Sequence, residues 1–289
     1  MSATQVDDVT SLEAGLDALD SHTGTRTSPA GRARRSLLPP AVALIGFLAL
    51  WSLVTASGLT SHSLLPTPAD VWHALARSWD SGTLQAAIWA SLRRAAVGFA
   101  LSVVLGTLLG LLLSQRRWLR AAVGPLVSGL QSLPSATWLP LALVWFGVSD
   151  AAVYTVVLCG AIPSIALGLV AGIDRVPPLF LRVGHVLGAS RLESLAHVVL
   201  PAALPGYVAG LRLGWAFAWR SLMAAELILA AAGRTSSLGQ LLDAGRRTAD
   251  MSLLLAVIAV ILAIGITVEA AIFSPVERHL LRARGLESA

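Results

Sequence analysis

The sequence predicts an all-α, polytopic membrane protein with six transmembrane helices, and three observations carry that prediction. The 289 residues are 55% apolar and 13% charged, with a mean hydropathy of +0.74, too apolar for a water-soluble domain. Uncharged runs at 36–61, 95–114, 121–149, 151–173 and 251–268 are each long enough to cross a bilayer as a helix. A sixth stretch, 206–232, is as long and carries only Arg212, Arg220 and Glu226 as charges. The third observation is the distribution of positive charge. The chain has no lysine, so its 21 basic residues are all arginine. With the N-terminus inside, thirteen arginines fall in inside segments against four outside (Arg77, Arg234, Arg246 and Arg247). The positive-inside bias therefore places both termini in the cytoplasm. The net charge of +5 reads as topology and contact with anionic lipid, and no nucleic-acid partner is expected.

Each element follows from local composition. Residues 1–35 are polar and poor in aromatics, a disordered cytoplasmic tail, and the run after it is longer than the apolar core of a signal peptide. Residues 36–82 hold the first span and an outer segment, in which Trp72, Leu75, Ala76 and Trp79 recur at helical spacing. That pattern predicts a short interfacial helix anchored by its aromatics. Residues 83–275 form the core of five further spans. In the second, Gly106 and Gly110 offer a small-residue face for close packing, while Arg93 and Arg94 lie near its outer end. They either snorkel to headgroups or, for Arg94, face a pore.

The third span contains Pro125, Pro134 and Pro140. Interrupted helices at membrane depth require protein or a wet cavity around them, and Gln131, Ser132, Ser135, Thr137 and Trp138 would give such a cavity a polar lining. Cys159, in the fourth span, is the only cysteine, which excludes an intrachain disulfide and a thiolate cluster. In the fifth span Gly206, Gly210 and Gly214 define one packing face, and Arg212, Trp215, Trp219, Met223 and Glu226 lie on the opposite one. Arg212 and Glu226 are about 21 Å apart along the helix, so each needs a partner elsewhere. Two readings of this stripe stand: a pathway lining, or aromatic packing with a structural Glu226. Glu269 lies near the inner end of the sixth span, and 276–289 is a basic cytoplasmic tail.

The polar loop 174–205 interrupts this pattern. Pro177 and Pro178 forbid a helix running in, and Pro201 and Pro205 are expected to interrupt one running out. Ser190 three residues before Glu193 is a capping-box pattern. The spacing predicts a helix over 179–187, a turn at Gly188 and a second helix from Arg191 towards Leu200. Such a hairpin is either a grip for a cytoplasmic partner or a plain connection.

Gly188, then nine residues, Val198, one residue and Leu200-Pro201 resemble the cytoplasmic loop signature of ABC importer permeases. Arg182, Val183 and Gly184 stand where that signature has Glu-Ala-Ala, a departure. Leu187-Gly188-Ala189-Ser190, the 200–205 run, the 64–71 segment with its Leu65-Pro66 and Pro68, and Trp145-Phe146-Gly147 resemble the aliphatic sulfonate, taurine and nitrate branch. The resemblance implies a type I importer fold in a bacterial plasma (inner) membrane. It implies a second permease subunit, as a homodimer, two cytoplasmic ATPases that bind ATP with magnesium, and an extracytoplasmic solute-binding protein. The coupling loop would then be carried by Arg182, Val183, Gly184, His185, Leu187, Gly188, Ala189, Ser190, Arg191, Glu193, Leu200 and Pro201. The pathway lining would be carried by Gln131, Ser132, Trp138, Arg212, Trp215, Trp219, Met223 and Glu226. The branch points to a small anion, with a pyrimidine vitamin precursor as the alternative cargo.

Catalysis by the chain itself is not expected. Without lysine there is no phosphate loop ending in Gly-Lys-Ser/Thr, and there is no His-Glu-x-x-His helix or Gly-x-Ser-x-Gly elbow. No cofactor or metal is therefore expected on this chain. An ion-gradient transporter is the competing class. It would show repeat symmetry or paired intramembrane acids, and neither is evident.

Overall fold

The computed structural model describes residues 29–58, 61, 64–186, 188–230 and 236–282, and the regular elements among them are all helical. The chain divides into two units at Ser61. The first contains helix α1, Pro29–Ala56, whose stretch from Leu38 is apolar and long enough to cross a membrane. It begins ahead of the uncharged run at 36, and residues 1–28 of the expected tail lie outside the described residues.

The second unit opens on α2, Pro68–Asp80, the predicted interfacial helix. Thr67 and Asp70 cap it reciprocally, with the Asp70 amide donating to Thr67 Oγ1 at 3.2 Å and the Thr67 amide to Asp70 Oδ2 at 3.0 Å. Then follow α3 (Thr83–Gln115), α4 (Arg117–Ser132), a 3₁₀ turn (Ser135–Trp138) and α5 (Leu139–Phe146). Next come α6 (Asp150–Asp174), α7 (Pro178–Val186) and α8 (Arg191–Ser194), which passes through a π turn (Leu195–Val199) into α9 (Leu200–Ala230). The chain closes with α10 (Leu238–Arg247), α11 (Met251–Val268), a second π turn (Glu269–Phe273) and α12 (Ser274–Arg282). Besides α1, four stretches are long and apolar enough to span: α3, α6, 195–230 and 251–280. The third predicted span is broken into α4, the 3₁₀ turn and α5, because Pro134 cannot continue the helix that ends at Ser132.

The expectation that Pro201 and Pro205 interrupt the outgoing helix is not met. One helical path runs from Arg191 to Ala230. Pro205 lies inside α9, and at Pro201 a π turn keeps the path continuous: the Leu200 amide donates to the Leu195 carbonyl, five residues back. The widened turn relieves the clash that the Pro201 ring would make with the carbonyl of His197.

Small residues set the packing. A Cβ on Gly168 would lie 2.3 Å from the Gly210 Cα, and one on Gly172 would lie 2.5 Å from the Ala203 carbonyl. α6 and α9 therefore run antiparallel with their backbones in contact, and here glycine is required by space. α3 lies parallel to α6, with Gly98 against Val157, Gly106 against Ile165 and Gly110 against Leu169. The buried core follows these contacts through Val156, Ile165, Ala218, Leu222 and Val257.

Candidate functional site

The 174–205 loop folds as a closed hairpin. α7 ends at Val186 and is followed by Gly188, whose φ of +79° is left-handed, and the Ala189 amide donates to the Gly184 carbonyl at 3.0 Å. This is a Schellman termination, and it requires a residue that tolerates positive φ. The next helix starts with the predicted box. The Ser190 amide donates to Glu193 Oε2 at 2.7 Å and the Glu193 amide to Ser190 Oγ at 3.3 Å. The Ser190 amide and hydroxyl hold the Glu193 carboxyl below the usual carboxylate range. α7 lies against the following helix at Gly184, where an added Cβ would make ordinary contact with Ser194 Oγ at 3.4 Å. Outward, Arg182 and Val183 are exposed and Val186 is 84% exposed. Inward, Val176, Val199 and Ala203 form a small core that ties the hairpin to α9. Leu187 and the side chains of His185 and Arg191 lie outside the described residues.

A polar knot closes the opposite end of the helices. Arg94, only 8% exposed, reaches Glu226 Oε1 with Nη1 at 3.2 Å and Asp150 Oδ1 with Nε at 3.0 Å. Glu226, 3% exposed, also accepts from Ser91 Oγ at 2.7 Å and from the Gly239 amide at 3.3 Å, while Ser91 Oγ accepts from the Leu238 amide. Four helices, α3, α6, α9 and α10, thus meet on one carboxylate–guanidinium pair. Beside it lies a cavity of about 300 Å³ lined by Arg94, Asp150, Val153, Glu226, Leu229 and Ser237.

The remaining stripe residues do not share one surface. Arg212 pairs with Glu269 and, at 3.0 Å, with Glu277, joining α9 to the second π turn and α12. Trp215 and Trp219 stack with centroids 6.1 Å apart, and Phe99 meets Trp215 edge-on at 5.3 Å. Trp219 is buried, and Met223 packs against the same core. Gln131 Nε2 donates to Ser164 Oγ at 3.0 Å, whereas Ser132 is exposed and donates to its own Gly129 carbonyl. Trp138 lines a separate apolar cavity of about 340 Å³ with Leu130, Leu158, Cys159 and Pro163.

Comparison with known proteins decides the family. Residues 102–278, more than half of the chain, match the family described as binding-protein-dependent transport system inner membrane component. The chain belongs to that family. This permease is 31% identical over 220 residues to the bicarbonate transport system permease protein CmpB of Synechococcus elongatus, covering 71% of this chain and 78% of the relative. It is 30% identical over 227 residues to the taurine transport system permease protein TauC of Escherichia coli, covering 77% and 81%. The nitrate import permease protein NrtB of Synechocystis is 31% identical over 206 residues, covering 68% and 74%. In fold, the permease resembles a chain of the MetNI methionine ABC transporter in an inward-facing conformation, with a TM-score of 0.56 at 20% identity, over 68% of this chain and 96% of that one. It is an all-helical, multi-pass ABC importer permease and, with no lysine for a phosphate loop, it carries no nucleotide-binding motif of that type.

Sequence reading singled out Glu226 and Arg212 but missed how Arg94, Ser91 and the α10 amides converge. Ser91 and Arg94 are three residues apart, hence on one helical face. Only the tertiary fold brings Asp150 and Gly239 to that face.

Proposed function

We propose that this permease pairs with a second copy of itself and with two cytoplasmic ATPases, which hold ATP and magnesium, in a bacterial inner membrane. An extracytoplasmic binding protein delivers the cargo, a small oxyanion of the sulfonate, taurine, nitrate or bicarbonate type. The anion class is supported by the names of the relatives. The arginine asymmetry favours cytoplasmic termini and a cytoplasmic hairpin.

The hairpin is the observation that carries the coupling role. It presents apolar Val183 and Val186 to water on a helix closed at its C-terminal end by the Schellman turn, and the helix that follows is closed at its start by the capping box. An exposed apolar face on so constrained a helix suits a docking element. Through the π turn it continues into α9, so force on the hairpin is transmitted along one helical path. The residues carrying this role are those of 182–193, with Leu200 and Pro201 fixing the exit into the span.

Purification of the subunit in mild detergent from its native membrane tests this reading. A Walker-type ATPase is expected at about one-to-one stoichiometry with the permease, and Val186→Asp is expected to lose it while the permease stays in the membrane. An ATPase that remains bound to Val186→Asp and responds to substrate overturns the docking role. Recovery of the chain alone, with uptake driven by an ion gradient, overturns ATP-driven import.

A further inference from the structure

We propose that Arg220 is the residue of this pathway that contacts the transported anion. The assignment rests on the oxyanion cargo proposed above. Four arginines lie within or beside the apolar cores of the long helices: Arg93, Arg94, Arg212 and Arg220. Arg94 and Arg212 each hold two carboxylates. Arg93 is the neighbour of Arg94, at the level where α6 begins. Arg220 differs in both depth and partners. Its neighbour Ser221 meets Gly160, near the middle of the 25-residue α6.

Arg220 is exposed on α9, its Nε donates to the Ala216 carbonyl at 3.0 Å, and its guanidinium lies 4.8 Å from the Phe217 ring centroid. Among the described residues no carboxylate pairs with it and neither Nη group has a hydrogen-bond acceptor. A guanidinium held at mid-membrane without a counter-charge faces water or an anionic ligand, since lipid solvates it poorly.

A second, independent observation falls at the same level. Ser221 Oγ donates to Ser135 Oγ at 2.6 Å, and Ser135 opens the 3₁₀ turn at which the third span is interrupted. Ser132, Pro134 and Thr137 around that interruption are exposed. Non-helical backbone at membrane depth is tolerated only against protein or a wet cavity. The exposed guanidinium and the interrupted helix therefore lie at one level of the subunit. With both Nη groups available, Arg220 offers the planar fork that binds an oxyanion through two parallel hydrogen bonds.

The test uses the permease co-expressed with its ATPase and binding protein, reconstituted in liposomes, with labelled taurine, nitrate and bicarbonate as probes. Arg220→Gln is expected to lower uptake about tenfold or more, the range of one charge-assisted hydrogen bond, with Arg220→Lys intermediate and ATPase association intact. Arg220→Cys in a Cys159→Ala background is expected to react with water-soluble thiosulfonates, with a taurine- or nitrate-protectable rate. A cationic aminoethyl adduct should recover uptake, and an anionic sulfonatoethyl adduct should not. Wild-type uptake from Arg220→Gln, or an Arg220→Cys thiol inert to these reagents, overturns the assignment while leaving the oxyanion cargo in place. A wild-type complex that carries none of the three anions overturns the cargo and, with it, the assignment.

Discussion

The two ends of the helical core solve the same electrostatic problem in opposite ways. At the end formed by α10 and the start of α6, charge is buried: Arg94 and Glu226 are almost wholly enclosed, and the carboxylate is satisfied by a guanidinium, a hydroxyl and an amide. At the hairpin end, charge lies in the open. Arg120 makes a two-pronged pair with Asp174 whose side chains are 47% and 44% exposed, and Arg212 with Glu277 is 47% and 46% exposed. A buried pair is costly to break because the surviving charge has no solvent, whereas exposed pairs are screened and contribute little. One end is therefore a fixed corner joining four helices. The other end rearranges at small cost, and it carries both π turns and the hairpin. The proposed uptake of force at the hairpin would need that asymmetry, because a stiff hairpin end would resist the motion and a loose far end would dissipate it.

The sharpest way to break the comparison is at the fixed corner. Arg94→Ala leaves Glu226 buried without its counter-charge, and a loss of about 3–5 kcal/mol is expected, read as a collapse of thermal stability in detergent. Asp174→Asn removes one partner of an exposed pair at the other end and should change stability by less than about 1 kcal/mol. Asp174 also raises the Arg120 pKa, chiefly through their side-chain hydrogen bonding. Equal losses from the two variants would erase the proposed difference between the ends.

How much of this was legible in the sequence depends on the range of each interaction. The capping box of Ser190 and Glu193, the turn at Gly188 and the small-residue faces of α3 and α9 all involve neighbours within one or two helical turns, and periodicity reports them. Pro134 announced the broken third span for the same reason. The continuity of α9 through Pro201 was missed because a π turn leaves no fixed residue signature. The stripe opposite the α9 glycines falls on one helical face by its spacing, yet the face alone does not say what covers it. Trp215 meets Phe99 of α3, and Glu226 meets Arg94, across long separations in sequence. The family resemblance gave the architecture, whereas the Arg94 knot and Arg220, which has no carboxylate partner among the described residues, emerged only from the packed helices.

The finest test concerns the hairpin cap. The Glu193 carboxyl titrates below its ordinary value because the Ser190 amide and hydroxyl bond to the charged form. A depressed folded pKa means that the cap's contribution is fully present above the unfolded value of about 4.3 and is lost as the pH falls through the folded value. Hydrogen exchange at the Ser190 amide, corrected for its intrinsic pH dependence, should therefore lose protection on acidification below about pH 4. Glu193→Gln keeps a side-chain acceptor at the box position and should abolish the pH dependence while retaining most of the protection. Glu193→Ala should remove both. If Glu193→Gln still shows the acid transition, the titrating group is not Glu193, and the hairpin is held closed by something other than its cap.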